Sequence, residues 1–330
     1  MTTIRDIARV AGVSVSTASL ALNDSDRVRG PTRQRVLDAA RSLNYTPSHS
    51  ARSLGSGRTW SLHLINPISN NGRSSSFLTS FVHGMHGVVQ RHDYTLALSA
   101  LNSEAEAAAE LDKLMRERRG DGVILMNISN GLQLLQQLLD RDFPHVLLGY
   151  SPVEHVNSVD SDNEAVGRDA TAHLLSRGRR RILFLNAPAQ HAFAQSRAEG
   201  YRRAHAEAGA ATDDELLRFG LTTVPSARTE TTRLLEDRKE FDGVVASSDE
   251  VAIGALRALR DSGRRVPEDV SVVGMNNDEL ADYTEPPLTS VELNPGELGR
   301  AAAELLLSSI AKARPERRLV DHRLVVRESS

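Results

Sequence analysis

TIRDIARVAGVSVSTASLALN, residues 3–23, is the stretch on which the fold of the N-terminal part turns. Thr3 opens it with Asp6 three residues on. The hydroxyl can therefore cap orphan N–H groups, and the carboxylate suits the positive end of a helix running from Ile4 to Ala11. Gly12 supplies a left-handed stop. Ser14 is placed to cap a second helix reaching to Asn23, and the short gap between the two forces them to cross. At about 100° per residue, Ala18, Ala21 and Leu22 share one face of that second helix, while Ser16 and Leu20 point away from it. A third helix is expected to open near Pro31, a favoured first-turn residue, with Val36, Ala39, Ala40 and Leu43 as its inner stripe. Arg33, Arg35 and Arg41 are left for solvent or phosphate. Two short helices around a glycine, followed by a basic third, outline a helix-turn-helix DNA reader.

Charge agrees with this outline. Residues 1–60 hold nine Arg, no Lys and four Asp, a balance of +5, while the rest of the chain balances at −8 to give the formal −3 of the whole. A basic head on an acidic body is what a phosphate backbone attracts. The stub from Pro47 to Leu54 is shorter than the roughly 12 residues at which an isolated helix becomes even marginal, so a helix there needs a partner. Gly55, Ser56 and Gly57 read as a flexible link.

Beyond residue 60 short apolar runs alternate with helical patterns. The runs are Trp60 to Ile65, Thr95 to Leu98, Gly122 to Met126, His145 to Leu148, Ile182 to Leu185, Gly243 to Ala246 and Val270 to Gly274. Alternation of this kind predicts parallel sheets covered on both faces. Phe77, Phe81, Met85 and Val88-Val89 recur at helical spacing, and so do Ala165, Asp169, Ala172 and Leu175 before a Gly178 stop. Such stripes are core far more often than cofactor boxes. The length of this part suggests two lobes rather than one sheet. Ligands in open parallel sheets bind beyond the carboxyl ends of the strands, here a cleft between the lobes.

Enzyme signatures are missing. The chain has no Gly-x-Gly-x-x-Gly after a strand, no phosphate loop ending in Gly-Lys-Ser or Gly-Lys-Thr, and no Gly-x-Ser-x-Gly elbow. His83 and His86 are three apart on a helix, but with no cysteine and only Asp93 as a nearby acid no metal site is expected, and no cofactor is implied. The body alone leaves open a stand-alone small-molecule sensor or a nicotinamide-dependent oxidoreductase. No apolar stretch approaches the roughly 18 residues of a membrane span and the N-terminus has no signal-peptide core, so a cytoplasmic protein is expected. The lack of cysteine is compatible with a reducing compartment without requiring one.

The run from Thr3 through Val13-Ser14 to Leu22-Asn23, with Thr32-Arg33, Val36, Asn44-Tyr45, Pro47, Ala51-Arg52 and Leu54, resembles the head of lactose-repressor-type (LacI/GalR) bacterial transcription regulators. The resemblance implies that the second helix enters the major groove with Val15, Ser16 and Leu20 at the base-reading positions. It implies that Thr3, Ser14, Thr17, Ser19, Asn23 and Thr32 meet phosphates, which set register without reading sequence. Ala51 and Leu54 fall at the minor-groove hinge, where the leucine wedges between bases and kinks the duplex. The family commonly has arginine where Leu20 stands. Leucine cannot make arginine's bidentate contact to guanine and meets only apolar edges such as a thymine methyl, so an uncommon half-site is expected.

The resemblance continues through Asp162-Asn163, Gly167, His173-Leu174, Arg197, Gly200-Tyr201, Ser248-Asp249, Gly254-Ala255, Pro267 to Gly274, and Pro286 to Thr289 with Gly299. It implies a fold in which the all-α helix-turn-helix head and hinge helix join a two-lobed α/β periplasmic-binding-protein-like (type I) effector domain with parallel sheets. The implied parts are a DNA-binding domain over 1–46, a hinge and linker over 47–59, and an effector-binding and dimerisation domain over 60–330. Its N-lobe would comprise about 60–159 and 291–318 and its C-lobe about 160–290 and 319–330, with a final C-lobe strand near Leu319 to Arg327. Asp162, Arg197, Ser248 and Asn276 match effector-binding positions, and Phe77 can supply an apolar wall. Asp162 or Ser248 could equally be plain helix caps. Sugar binders in the family often carry Asp at the place of Asn276, and an amide there is both donor and acceptor where a carboxylate only accepts. The expected partners are a pseudo-palindromic operator duplex, a carbohydrate-like effector and a second copy of the chain. The expected activity is that of a regulator, a repressor released by inducer.

Overall fold

The computed structural model describes residues 2–22, 27–45, 53, 57–67, 76–126, 131–151 and 153–330. The chain divides into two units, Met1–Ser61 with Arg118–Asp121, and Leu62–Glu117 with Gly122–Ser330.

Among its described residues the first unit has three helices whose ends follow local chemistry. In α1 (Ile4–Ala11) the Asp6 carboxylate accepts from the Thr3 N–H at 3.0 Å and from its hydroxyl at 2.8 Å, and Gly12 ends the helix at φ 65°. In α2 (Val15–Leu22) the Ser14 hydroxyl oxygen accepts from the Thr17 N–H at 3.0 Å, satisfying one of the orphan donors of the first turn. Helix α3 (Gly30–Ser42) carries Pro31 in its first turn. Ile7, Ala8, Ala11, Ala18, Ala21, Val36, Ala39 and Ala40 form one core, joined by Val28. Alanine on α2 lets the helices cross closely without pushing the opposite face inward. Just before the body begins, the Asp121 carboxylate accepts from the Thr59 N–H and hydroxyl and from the Trp60 N–H, at 2.7 to 2.9 Å.

The second unit holds two sheets. In chain order its elements are β1 (Ser61–Pro67), α4 (Ser76–Arg91), β2 (Thr95–Leu101), α5 (Glu104–Arg116), β3 (Gly122–Leu125), α6 (Gly131–Asp140), β4 (His145–Leu148), β5 (Ser158–Ser161), α7 (Asn163–Ser176), β6 (Ile182–Leu185), α8 (Ala192–Glu207), β7 (Leu217–Arg218), α9 (Val224–Glu236), β8 (Gly243–Ala246), α10 (Asp249–Asp261), β9 (Ser271–Met275), β10 (Thr289–Glu292), α11 (Pro295–Ile310), β11 (Arg317–Val320) and β12 (Arg323–Val325). The N-lobe sheet runs β11-β5-β4-β3-β1-β2 and the C-lobe sheet β12-β10-β9-β8-β6-β7. The registered pairs are parallel except β10 with β12. Strand order reverses between β1 and β3 in one lobe and between β6 and β8 in the other. The carboxyl ends flanking such a reversal leave a crevice for ligand.

The exchange between lobes differs from the expected boundaries. Asp160 and Ser161 belong to the N-lobe strand β5, and Val291 and Glu292 remain in the C-lobe on β10. Leu319 and Val320, expected in the last C-lobe strand, pair instead with Asp160 and Ser161, and the C-lobe strand begins only at Arg323. The physical reason is that α11, packed on α4 and on β3 to β5, delivers the chain to the N-lobe edge, and the return crossing occupies only 321–322. On α7 the buried stripe is Val166, Ala170 and Leu174 with Gly167, Thr171 and Leu175, so that of the expected stripe Leu175 is buried while Ala165, Asp169 and Ala172 lie one residue out of phase.

That phase is set by contact between backbones. A Cβ on Gly167 would stand 2.1 Å from the Arg197 carbonyl oxygen, and one on Gly200 would stand 2.0 Å from the Glu164 carbonyl oxygen. Helices α7 and α8 therefore meet with no side chain between them, and Tyr201, fully buried, donates its hydroxyl to the Ile182 carbonyl at 2.8 Å beside them. Gly167→Ala must part the helices, and overpacking of this kind costs about 2 kcal/mol. A urea titration of the full chain should show a loss of that size with an unchanged slope. A variant as stable as the parent would contradict the close approach.

Candidate functional site

On α2 the three presumed base readers lie on the open face: Val15 is 44% exposed, Leu20 38% and Ser16 exposed, while Ala18 on the opposite face is fully buried. Leu20 is therefore not packed into the helical core. Thr3 and Ser14 are exposed, and Thr17, Ser19 and Thr32 are half-buried. Part of their capacity is committed locally, since the hydroxyls of Ser14 and Thr17 bond to one another at 2.8 Å. Asn23, Ala51 and Leu54 lie outside the described residues.

In the body the effector candidates are not all brought together: Asn276 lines the cavity between α4 and the head of α11, whereas Phe77, Asp162, Arg197 and Ser248 are not among the residues that line it. Asp162 is the exposed N-cap of α7 and accepts from the Ala165 N–H at 3.0 Å. Ser248 is the N-cap of α10 and accepts from the Val251 N–H at 3.3 Å. Both do the capping work that their place at a helix start allows, so only an unused carboxylate oxygen and a hydroxyl proton remain for anything else. Phe77 stacks on Phe81 with ring centroids 6.4 Å apart. It also packs against the C-lobe cluster that contains Met275, Val291 and Leu293, so the N-lobe helix α4 reaches across to the other lobe.

Arg197 is the most constrained of the set. It is 6% exposed; Nε donates to Asn163 Oδ1 at 3.0 Å and Nη1 to the Ser247 carbonyl at 3.1 Å. The guanidinium lies 4.9 Å from the centre of the Phe193 ring, which itself stacks on His191. Among the described residues none accepts from Nη2. Asn163 in turn donates to Asp160 Oδ1 at 2.9 Å, so one amide joins the buried cation to a buried carboxylate. Burial pulls Arg197 down to about 10 against the pull of Asp160, and burial pushes Asp160 up to about 6 against the Ser161 N–H and the charge of Arg197. Burial also lowers His191, against the charge of Glu104 on the N-lobe helix α5.

The cleft encloses about 560 Å³, within the range of small-molecule sites, between Ser76, Thr79 and Ser80 of α4, the turn Asn276 to Glu279, and Asn294 to Glu297 at the head of α11. Asn276, half-buried, stands here at φ 103° with its side-chain amide making no bond among the described residues. The Asp278 carboxylate accepts from the Ser76 hydroxyl, a bond between lobes, while burial raises its pKa. Asp278 lines this cavity, Asp160, Asn163 and Phe193 surround Arg197, and the buried Asp249 follows Ser248; sequence reasoning singled out none of them for a site. Asn163 and Asp249 each follow a cap residue, but that position does not by itself mark a buried side chain, since Val15, which follows the cap Ser14, is exposed. Among the described residues no group of His, Cys, Asp or Glu could hold a metal, and no helix is long and apolar enough to cross a membrane.

A helix-turn-helix unit and a two-lobed parallel α/β body with an interlobe cleft define an effector-responsive DNA-binding regulator. Residues 3–48 match the bacterial regulatory proteins, lacI family, and residues 171–330 match the periplasmic binding protein-like domain. The chain is 35% identical over 335 residues to the HTH-type transcriptional regulator CelR of Thermobifida fusca, covering 99% of this chain and 98% of that protein. It is 33% identical over 324 residues to the HTH-type transcriptional repressor PurR of Vibrio cholerae serotype O1 (strain M66-2), covering 97% and 95%. The solved structure of a CelR–cellobiose complex aligns over 100% of both chains with a TM-score of 0.78 at 34% identity. The chain belongs to the lacI family of bacterial regulatory proteins: it is a DNA-binding transcriptional regulator under effector control, not an enzyme.

The raised Asp160 carboxyl makes a checkable statement about stability. Its folded pKa of about 6 lies above the ordinary 3.8, so the folded chain holds the proton more tightly and this group's contribution to stability falls as pH rises from about 3.8 to 6. Urea midpoints measured across that window should fall less steeply for Asp160→Asn than for the parent. Parallel slopes would show that the carboxyl is not desolvated.

Proposed function

We propose that this regulator is a cytoplasmic repressor acting as a homodimer, whose paired heads bind a pseudo-palindromic operator and release it when a sugar or sugar derivative occupies the interlobe cleft. The observation that carries the DNA reading is the outward set Val15, Ser16 and Leu20 on a helix whose inner face is alanine. In this reading residues 1–46 bind the duplex, 47–59 form the hinge with Ala51 and Leu54 in the minor groove, and the rest senses the effector and dimerises. Val15, Ser16 and Leu20 meet base edges. Thr3, Ser14, Thr17, Ser19, Asn23 and Thr32 meet phosphates and fix register.

For the effector, Arg197 offers Nη2 in a fixed direction, Asn276 offers an amide that both donates and accepts, and Asp162 and Ser248 offer their unused atoms. Phe77 closes the apolar side. Hydroxyl groups satisfy such a mixture, and the charge of Arg197 is already opposed by Asp160, so the ligand need not bring an anion. The cellobiose bound by the CelR structure supports a sugar as the ligand class. Coupling is by linkage: the effector favours one arrangement of the lobes, and that arrangement decides whether the paired hinges fold into DNA.

Fluorescence anisotropy with a palindromic duplex should show tight binding by the full chain that falls steeply with salt, and none by a chain starting at Trp60. Equal binding by both would refute the assignment. Duplexes selected from random sequence should lack a required guanine opposite Leu20. Leu20→Arg should gain a preference for one, by about 1–3 kcal/mol. Cellobiose or a related sugar added to the complex should lower the anisotropy, and failure of every sugar tried would remove the carbohydrate reading while leaving the DNA reading intact.

A further inference from the structure

Asp249 is fully buried, yet nothing in the binding scheme above uses it. It follows Ser248 at the first turn of α10, where its Oδ1 accepts from the Ser290 hydroxyl at 2.6 Å and its Oδ2 from the Asp278 N–H at 2.7 Å. The Ser290 oxygen in turn accepts from the Asn277 N–H at 3.0 Å, and the Asn276 N–H donates to the Val291 carbonyl at 2.8 Å. Three successive amides of the cleft wall are therefore tied down, two of them through one carboxylate.

The tie is needed because the backbone there is unfavourable. Asn277, at φ 52°, lies where asparagine goes readily, but Asn276, at 103°, lies beyond it, and a residue held so costs on the order of 1–3 kcal/mol unless the surroundings over-determine it. Even the strand beneath makes room: a Cβ on Gly274 would stand 2.2 Å from Asp249 Oδ1. The charged groups facing the carboxylate are Asp278, which repels it, and Arg327 of the C-terminal tail, which attracts it. Arg327 also pairs with Asp282 at 2.6 Å and donates to Asn277 Oδ1 at 2.8 Å, so the same turn is held from its other side.

We propose that Asp249 is a positioning residue of the effector cleft. Its carboxylate holds Asn276 to Asp278 in the conformation that faces the ligand and keeps Asp278 bridged to Ser76 of the opposite lobe, so that ligand contact and lobe arrangement pass through one buried group. This rests on the reading of the cleft as the effector site. An isolated buried carboxylate is a poor choice for folding alone, because desolvation of its charge is expensive. Burial pushes it up to about 7. By linkage, folding stability from this group declines as pH rises from about 3.8 to 7, while the ionised form, the one able to accept both bonds, becomes dominant only above that range. Stability and cleft geometry thus respond to pH in opposite directions.

The test uses the full-length chain and Asp249→Asn, which keeps shape but cannot accept from both donors. Hydrogen exchange followed by mass spectrometry should show the amides of 277 and 278 exchanging about tenfold faster, the size of one lost charge-assisted bond, with the rest of the C-lobe unchanged. The thermal midpoint at pH 8 should be no lower than that of the parent. Cellobiose titrated between pH 6 and 8 should bind the parent more tightly as pH rises, and should bind the variant about tenfold more weakly with no pH trend. Ser290→Ala should loosen 277 and leave 278 protected, which decides the matter even if the first variant fails to fold. Unchanged exchange at 277 and 278, or faster exchange across the whole C-lobe with a lower midpoint, would make Asp249 a fold anchor and overturn the proposal. If the parent does not bind cellobiose, the exchange result still decides the positioning role, and the failure counts against the sugar alone.

Discussion

The contact of α7 with α8, with no side chain between their backbones, is the constraint on which the effector body depends. Gly167 and Gly200 permit it, and it brings Asn163 at the start of one helix beside Arg197 on the other. A guanidinium removed from water must have its donors matched or it destabilises the fold. Arg197 is matched by two groups of different origin, the Asn163 side chain and the carbonyl that ends β8. Two helices and a strand end are thereby held in one geometry around the mouth of the C-lobe, and one nitrogen of the fork is left over. The N-lobe repeats the device: a Cβ on Gly299 of α11 would stand 2.0 Å from the Phe81 carbonyl oxygen of α4. The two cleft walls are thus each mounted on a rigid helix pair.

A second regularity runs through the cleft. At the starts of α7 and α10 an N-cap residue is followed by a buried polar one, Asp162 by Asn163 and Ser248 by Asp249. The first of each pair satisfies helix donors, and the second is buried and supports a neighbour: Arg197 in one case, the 276–278 turn in the other. Helix capping and the support behind it are thus carried by adjacent residues.

The fold of the body is shared by proteins of many functions, and function has to be argued from sites. Here the decisive site is in the other unit. Helix α2 buries alanines and exposes Val15, Ser16 and Leu20, a surface with little polarity and no charge. Phosphate contacts attract without discriminating, and direct readout by such a face rests on apolar contact and a single hydroxyl.

Local chemistry by itself determined the helical head, because capping, a glycine stop and a period of 3.6 are written in neighbouring residues: Ser14, Gly12, Ala18 and Ala21 stand where those rules put them. The same holds for β4, β6 and β8, apolar runs long enough to be seen alone. Strand β5, whose residues are Ser158, Val159, Asp160 and Ser161, and the two-residue β7 were not legible, since such strands exist only through the partners that complete their hydrogen bonds. Leu319 went to the N-lobe because α11 ends there, which no window of sequence records. Arg197, Asp162 and Ser248 could be picked out by resemblance, and capping by the last two is local, to N–H groups three residues on, but that Arg197 is locked depends on atoms 34 to 50 residues away. Asp249 shows the division most plainly: its residue type was visible, but its work depends on Ser290 and Asp278, 41 and 29 residues further along the chain. Sequence determines what bonds nearby residues make, whereas burial and long-range hydrogen bonding exist only once the chain has closed on itself.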